Sequence, residues 1–194
     1  RDLCVQPVLP EQADAVYAFL AQYGKAYDFF PAVTDLEKQF SGLRFEDCLA
    51  VWRGEQVVAF GSLWEQTQYR QYIVKAYHGY MRAAKAFSPV LAAAGYIPIP
   101  PTGEVLRIAT LTLMSAAGED ADLYRALLGG LAKAAIRRGC KILVIGLPDD
   151  NYQTDILRPV RHLSFGSQIY FLQDSGEVPY AAGGRPPHLE CGWL

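Results

Sequence analysis

The stretch Val105–Pro148, VLRIATLTLMSAAGEDADLYRALLGGLAKAAIRRGCKILVIGLP, constrains the fold more than any other part of the chain. An apolar run, VLRIATLTLM, feeds through a short loop into a segment with Leu123, Leu127, Leu131 and Ala135 at helical spacing. A second apolar run, KILVIGLP, follows. Residues four apart share one face of a helix, and an unbroken apolar run of this length is that of a strand covered on both faces. Asp120 and Asp122 suit the helix start as cap and first-turn carboxylates, Arg137 and Arg138 suit its end, and Gly139 stops it. Strand, helix and strand in this order form a βαβ unit, whose two strands are parallel.

Antiparallel signals flank that unit. Leu3–Leu9 alternates as a strand does, and Pro10–Gly24 has a helix's punctuation at both ends. Ala32–Gly42 is a shorter helix, with Thr34 placed to cap it, Glu37 three residues on and Gly42 to end it. Asp47–Arg53 and Gln56–Trp64 are strand-like runs joined through Gly54-Glu55, a hairpin. Past Pro148, residues 149–163 hold a short helix broken at Pro159. Phe165–Gln173 and His188–Leu194 are the last two strand candidates, joined by the Gly- and Pro-rich excursion 174–187. The expectation is a single α/β domain over 1–194 with a mixed sheet. The chain opens on Arg1, so a longer protein could contain it.

Composition removes several functions. The chain is 51% hydrophobic and 20% charged, as soluble globular domains are. A net charge of -2 lacks the basic footprint of a nucleic-acid binder. No run of 18 apolar residues is present to span a membrane. The four cysteines are scattered without a C-x-x-C, which speaks against a disulfide framework and for a reducing cytoplasm. Cys4, Cys48 and Cys191 sit in apolar contexts that suit buried thiols. His78, His162 and His188 lack metal-ligand spacing, so no metal is expected.

The order of elements resembles the GNAT superfamily of acyl-CoA-dependent N-acyltransferases over nearly the whole chain, from LCVQPVL to HLECGWL. VLRIATLTLM, DADLYRALLGGLAKAAIRRGCK and ILVIGLP match its central strand–helix–strand, and DDNYQTDILRPVRHLSFGSQIYFL matches its fourth helix and sixth strand, with Phe165 at the Gly-Phe turn. The resemblance implies a single GNAT-like domain with a helical insert, about residues 67–100, between the third and fourth strands. It implies transfer of an acyl group from acetyl-CoA or another acyl-CoA to a small-molecule or peptide amine, by direct attack of the amine on the thioester. Backbone groups of TLTLMS and VIGLP would hold the donor, which places Leu113, Met114, Ser115, Gly118, Asp120 and Asp122 beside it. Asn151 matches a common family position by type and is equally a helix cap, and Arg158 is placed to bind a phosphate.

Two family motifs are altered. Where the family has Q/R-x-x-G-x-G/A, this chain has SAAGEDADLYR, with Gly118 alone and carboxylates that suit a helix cap as well as they repel a phosphate. The family's general-acid tyrosine would fall around Leu157–Arg161, where none stands. His162 is the nearest group able to shuttle a proton, and beside a proline-broken helix it is also an ordinary surface residue. For a general base, Glu65 at the end of the third strand and Glu104 before the fourth are the nearest carboxylates by position. An element end is also where a solvated carboxylate is ordinary. These departures leave open a catalytically inactive GNAT-like domain that binds a protein, an acyl carrier or a lipid.

The insert is unusual in charge. No acid lies between Glu65 and Glu104, while Arg70, Lys75, Arg82 and Lys85 are all basic. Tyr69, Tyr72, Ile73, Ala76, Tyr77, Tyr80, Met81, Ala84 and Phe87 recur at helical spacing, predicting a helix over Thr67–Gly95 bent or ended at Pro89. Its cations suit an acidic acyl carrier protein or an anionic membrane surface. Equally, the tyrosines are a stripe that packs on the domain and the cations its wet face. The acceptor would lie between this insert and the 174–187 excursion, and a homodimer is open.

Overall fold

The computed structural model describes residues 3–94, 99–148, 151–160, 162–168, 184–188 and 190–193. Five strands form the main sheet: β1 (Val5–Pro7), β2 (Cys48–Arg53), β3 (Gln56–Glu65), β6 (Ile108–Ala116) and β7 (Ile142–Val144), in the order β1-β2-β3-β6-β7. Neighbours are antiparallel except β6 and β7, which the crossover helix α5 (Ala121–Arg137) makes parallel. The sheet is mixed, as the βαβ unit between hairpins requires.

Each face of the sheet is covered because strand side chains alternate. Val51 joins one cluster with Leu111, Met114 and the α5 residues Leu123, Leu127, Leu131 and Ala135. Its neighbours Cys48 and Ala50 join the other, with Val16 and Leu20 of α1 (Ala13–Gly24) and Leu36 of α2 (Leu36–Gln39). The α5 stripe read from the sequence is the stripe that is buried. Asp120 caps α5, its carboxylate accepting from the backbone N–H groups of Asp122 and Leu123.

Several expectations change. Asp35, not Thr34, caps α2, because its carboxylate reaches the Lys38 N–H at 3.2 Å. VLRIATLTLM is broken at Arg107: Val105–Leu106 is a separate strand β5, paired with β4 (Tyr72–Ile73). The insert is therefore not one helix. Aromatic and β-branched residues at 72–74 favour the extended chain, and the helix starts only after Gly79. Pro89 cannot donate an N–H, so α3 (Tyr80–Ala86) stops and α4 (Ser88–Ala93) begins around it. Its aromatics do not form a core stripe: Tyr80 is 83% exposed and Phe87 64%.

KILVIGLP is neither long nor fully buried as a strand, since β7 ends at Val144 and Ile142 is 39% exposed at the sheet's edge. Phe165–Gln168 is exposed and not in a strand, and the rest of that candidate strand lies outside the described residues. The closing segment is a 3-10 turn, Cys191–Trp193, rather than a strand. Cys4 is exposed, Cys48 buried and Cys191 half-buried. No helix among the described residues is long and apolar enough to cross a membrane.

Candidate functional site

The site is where β6 and β7 part. They pair only through Ile108–Thr110 and Ile142–Val144, so the C-terminal half of β6 keeps β3 on one edge and has no strand on the other among the described residues. There β6 carries one residue more than β3, a bulge between the pairs Ser62–Thr112 and Phe60–Ser115. Within the bulge Leu113 is buried at φ 55°, a conformation costly for a branched side chain. The bulge aims the Leu113 N–H at Glu190 Oε1, 2.8 Å away.

Glu190 is 7% exposed. The Thr112 hydroxyl bonds its other oxygen, and His188 Nε2 lies 2.9 Å from Oε1. His188 is itself packed between the rings of Phe30 and Tyr27, with centroids 4.7 and 5.8 Å away. A buried carboxylate needs such partners, and here one of them is a backbone donor freed by the parting of two strands. Nothing in the sequence marks Glu190 or His188 as a site residue, because the 174–187 excursion hides which strand end they reach.

Beyond the bulge the chain turns through Ala117–Glu119, with Gly118 at φ 64° and Glu119 at φ 55°, into α5. Two cavities of about 490 and 320 Å³ flank this turn and share Tyr27 and Glu119. The larger also holds Asn151, Tyr152, Asp155 and Arg158; the smaller holds Tyr23 and Gly118. The Tyr23 hydroxyl bonds that of Tyr27 at 3.0 Å, which in turn donates to Glu119 at 3.4 Å. Burial pushes the pKa values of Tyr23, Tyr27 and Tyr152 up, so all three hydroxyls stay protonated at neutral pH. The Tyr124 hydroxyl on α5 is buried without a hydrogen-bond partner. Tyr23, Tyr124 and Tyr152 come from α1, α5 and the helix α6 (Tyr152–Leu157) and Tyr27 from the turn after α1, none from the stretch around Leu157–Arg161. Nothing local in the sequence shows that these elements meet.

The fold brings Leu113, Gly118, Asp120, Asn151 and Arg158 to one end of the sheet. Met114 is buried in the α5 cluster, and Ser115 turns its hydroxyl to the Leu113 carbonyl at 3.0 Å. Asn151 caps α6, accepting from the Gln153 N–H at 2.9 Å. Two expected residues are not at this end. Glu65 pairs in register with Ala109, roughly 20 Å along the strand from Ala116, and is bridged to Arg107 at 2.9 Å. Glu104 is bridged to Lys141 at 2.5 Å near that same end of the sheet. Each of these two carboxylates neutralises a cation where the chain enters β6 and β7, away from the parting. His162 is exposed, its Nδ1 2.7 Å from the Val160 carbonyl, and it lines neither cavity.

A pyrophosphate fits this end poorly. The Asp120 carboxylate already takes the N–H groups of Asp122 and Leu123, while Glu119 and Asp155 line the larger cavity. Arg158, the cation there, is paired with Asp155 at 3.0 Å, and Arg125 with Asp122 at 2.9 Å. The parting itself suits a carbonyl oxygen, since the Leu113 N–H already holds a carboxylate oxygen there.

No protein-family model and no curated protein sequence matches the chain. Solved structures do. A ribosomal-protein-alanine N-acetyltransferase from Brucella melitensis biovar Abortus 2308 superposes with a TM-score of 0.53 at 17% identity, over 89% of this chain and 100% of that one. The fold is GNAT-like. An acetyltransferase of Trypanosoma brucei gives a TM-score of 0.52 at 10% identity, over 89% and 100% of the two chains. Glucosamine-6-phosphate N-acetyltransferase of Arabidopsis thaliana gives 0.51 at 12%, over 88% and 99%. The GNAT-like sheet here is the five strands described above, and its parted pair is β6 and β7.

Proposed function

We propose that the protein is an N-acyltransferase that moves an acyl group from an acyl thioester, acetyl-CoA or another acyl-CoA, to an amine. The observation that carries this reading is the Leu113 N–H, turned by the bulge into the parting of a GNAT-like sheet. A thioester carbonyl oxygen lying where Glu190 Oε1 now lies would accept that N–H. As the amine attacks the carbonyl carbon, charge builds on this oxygen and the fixed backbone donor stabilises it most in the transition state. The new C–N bond forms and the C–S bond breaks, releasing a thiolate. The Tyr27 hydroxyl gives the thiolate its proton, while Glu119, hydrogen-bonded to Tyr27 at 3.4 Å, receives the proton the ammonium loses. The acidic turn gives the CoA phosphates little, so donor affinity rests on the thioester arm.

Calorimetric titration with acetyl-CoA and with a longer acyl-CoA, at low salt, tests the reading. Binding in the micromolar range followed by amide formation with a primary amine supports it. A folded sample that gives no heat with either donor overturns it.

A further inference from the structure

We propose that residues Glu190–Trp193 are the chain's own stopper in the donor slot, and that an acyl thioester binds by lifting them out. The inference rests on the acyltransferase reading and goes beyond it. One backbone N–H cannot serve two oxygens in line with it, so Glu190 on Leu113 and an acyl oxygen on Leu113 exclude one another.

The segment is seated along its length. Glu190 holds the Leu113 N–H and the Thr112 hydroxyl, and Gln66 Nε2 donates to the Gly192 carbonyl at 2.6 Å. The backbone approaches both walls at glycines. A methyl group at Gly192 would lie 2.6 Å from the Trp64 ring, and one at Gly146 would lie 2.5 Å from the Cys191 Cβ. Larger residues at either place would hold the segment off the sheet. At the outer end, the Trp193 ring stacks on Phe40 with centroids 4.9 Å apart while remaining 50% exposed.

These holds are few: Glu190 meets two donors of β6 beside the parting, Gln66 just past β3 meets the Gly192 carbonyl, and Phe40 meets the Trp193 ring. A short segment held by side-chain bonds can leave without breaking a strand ladder, which sets it apart from a structural strand. The seated form lowers apparent donor affinity by the fraction of molecules that are open.

Cys191 reports the segment's position, because its thiol is half-buried when the segment is seated. Its alkylation rate would be followed by mass spectrometry, with buried Cys48 in the same molecule reporting global unfolding. Without any donor, Glu190→Gln and Trp193→Ala should each raise the Cys191 rate about tenfold while Cys48 stays protected, and each should tighten acetyl-CoA binding by a similar factor. In the wild-type protein, saturating acetyl-CoA should speed Cys191 alkylation as well. Donor binding that leaves Cys191 as protected as before overturns the stopper and leaves the acyltransferase reading standing. Loosening of the segment by both variants, with no acetyl-CoA binding to any of the three proteins, overturns the acyltransferase reading and the displacement with it.

Discussion

At Ala109 and Thr110, β6 is paired on both edges, with β3 on one side and β7 on the other, and Glu65 is bridged to Arg107 where the strand begins. From Thr112 to Ala116 the same strand keeps β3, but on its other edge two donors, the Leu113 N–H and the Thr112 hydroxyl, are met by the side chain of Glu190. A strand ladder is exchanged only by unfolding, whereas a carboxylate on a backbone N–H can be exchanged for another oxygen. Ion pairs at the near end close the structure. The far end is satisfied in a way that a ligand can replace.

The largest effect separating the two ends belongs to Tyr27. Tyr27→Phe removes the hydroxyl from between Tyr23 and Glu119, and turnover should fall about a hundredfold with KM little changed. Steady-state kinetics with a fixed amine checks this. A change in KM alone would make Tyr27 a binding residue.

The near end should answer in stability and not in chemistry. Arg138 is paired with Asp47 and lies 3.9 Å from Glu65, so Arg138→Ala leaves two half-buried carboxylates less well paired. Denaturant unfolding should show a loss of about 1–2 kcal/mol, with acetyl-CoA affinity unchanged. A change in affinity would mean that the near end reaches the site.

A smaller effect has opposite signs in two readouts. Asp120→Ala removes the α5 cap, at a cost of about 1 kcal/mol, and frees the Asp122 and Leu123 N–H groups. Donor affinity should then rise a few-fold for acetyl-CoA and not for a donor without the pyrophosphate. Equal gains for both donors would show that this helix end does not meet phosphate.

The smallest effect is with pH. Burial, and after it the negative charge of Glu190, pushes the Cys191 thiol up to about 11. The folded state therefore keeps a proton that the unfolded state gives up near 9, so stability is full below that pH and falls as pH rises from 9 to 11. The raised hydroxyls of Tyr27 and Tyr152 act in the same direction at higher pH. Thermal melting across this range checks the slope. Loosening the stopper with Trp193→Ala should flatten its first part, since Cys191 then meets water.

The βαβ unit was legible because it is built from local pattern: α5's leucines and cap are neighbours in sequence, and their faces follow from helical period alone. The acidic turn after β6 was legible for the same reason, and Asp120 does take the helix N–H groups it suits. The parted strands were not. Where β7 stops depends on what lies beside it, and Val144 and Ile145 are equally apolar. Glu190 could not be found because its partner Leu113 is 77 residues away, brought near only by the completed sheet. For Glu65 and Glu104 the converse holds: being near β6 in the order of elements says nothing about which end of it they meet, and Glu65 meets the end that β7 covers. The insert misled through its period, since aromatics at helical spacing can line a face that stays in solvent.

The two halves of β6 differ in kind, and residue-resolved amide hydrogen exchange along Ile108–Ala116, with and without acetyl-CoA, reads that difference. Acetyl-CoA should leave Ile108–Thr110 unchanged, alter protection at Thr112–Ala116, and lower protection in Glu190–Trp193 as the segment leaves. Uniform change along the whole strand, or bound donor with Leu113 and Glu190–Trp193 unaltered, would contradict it.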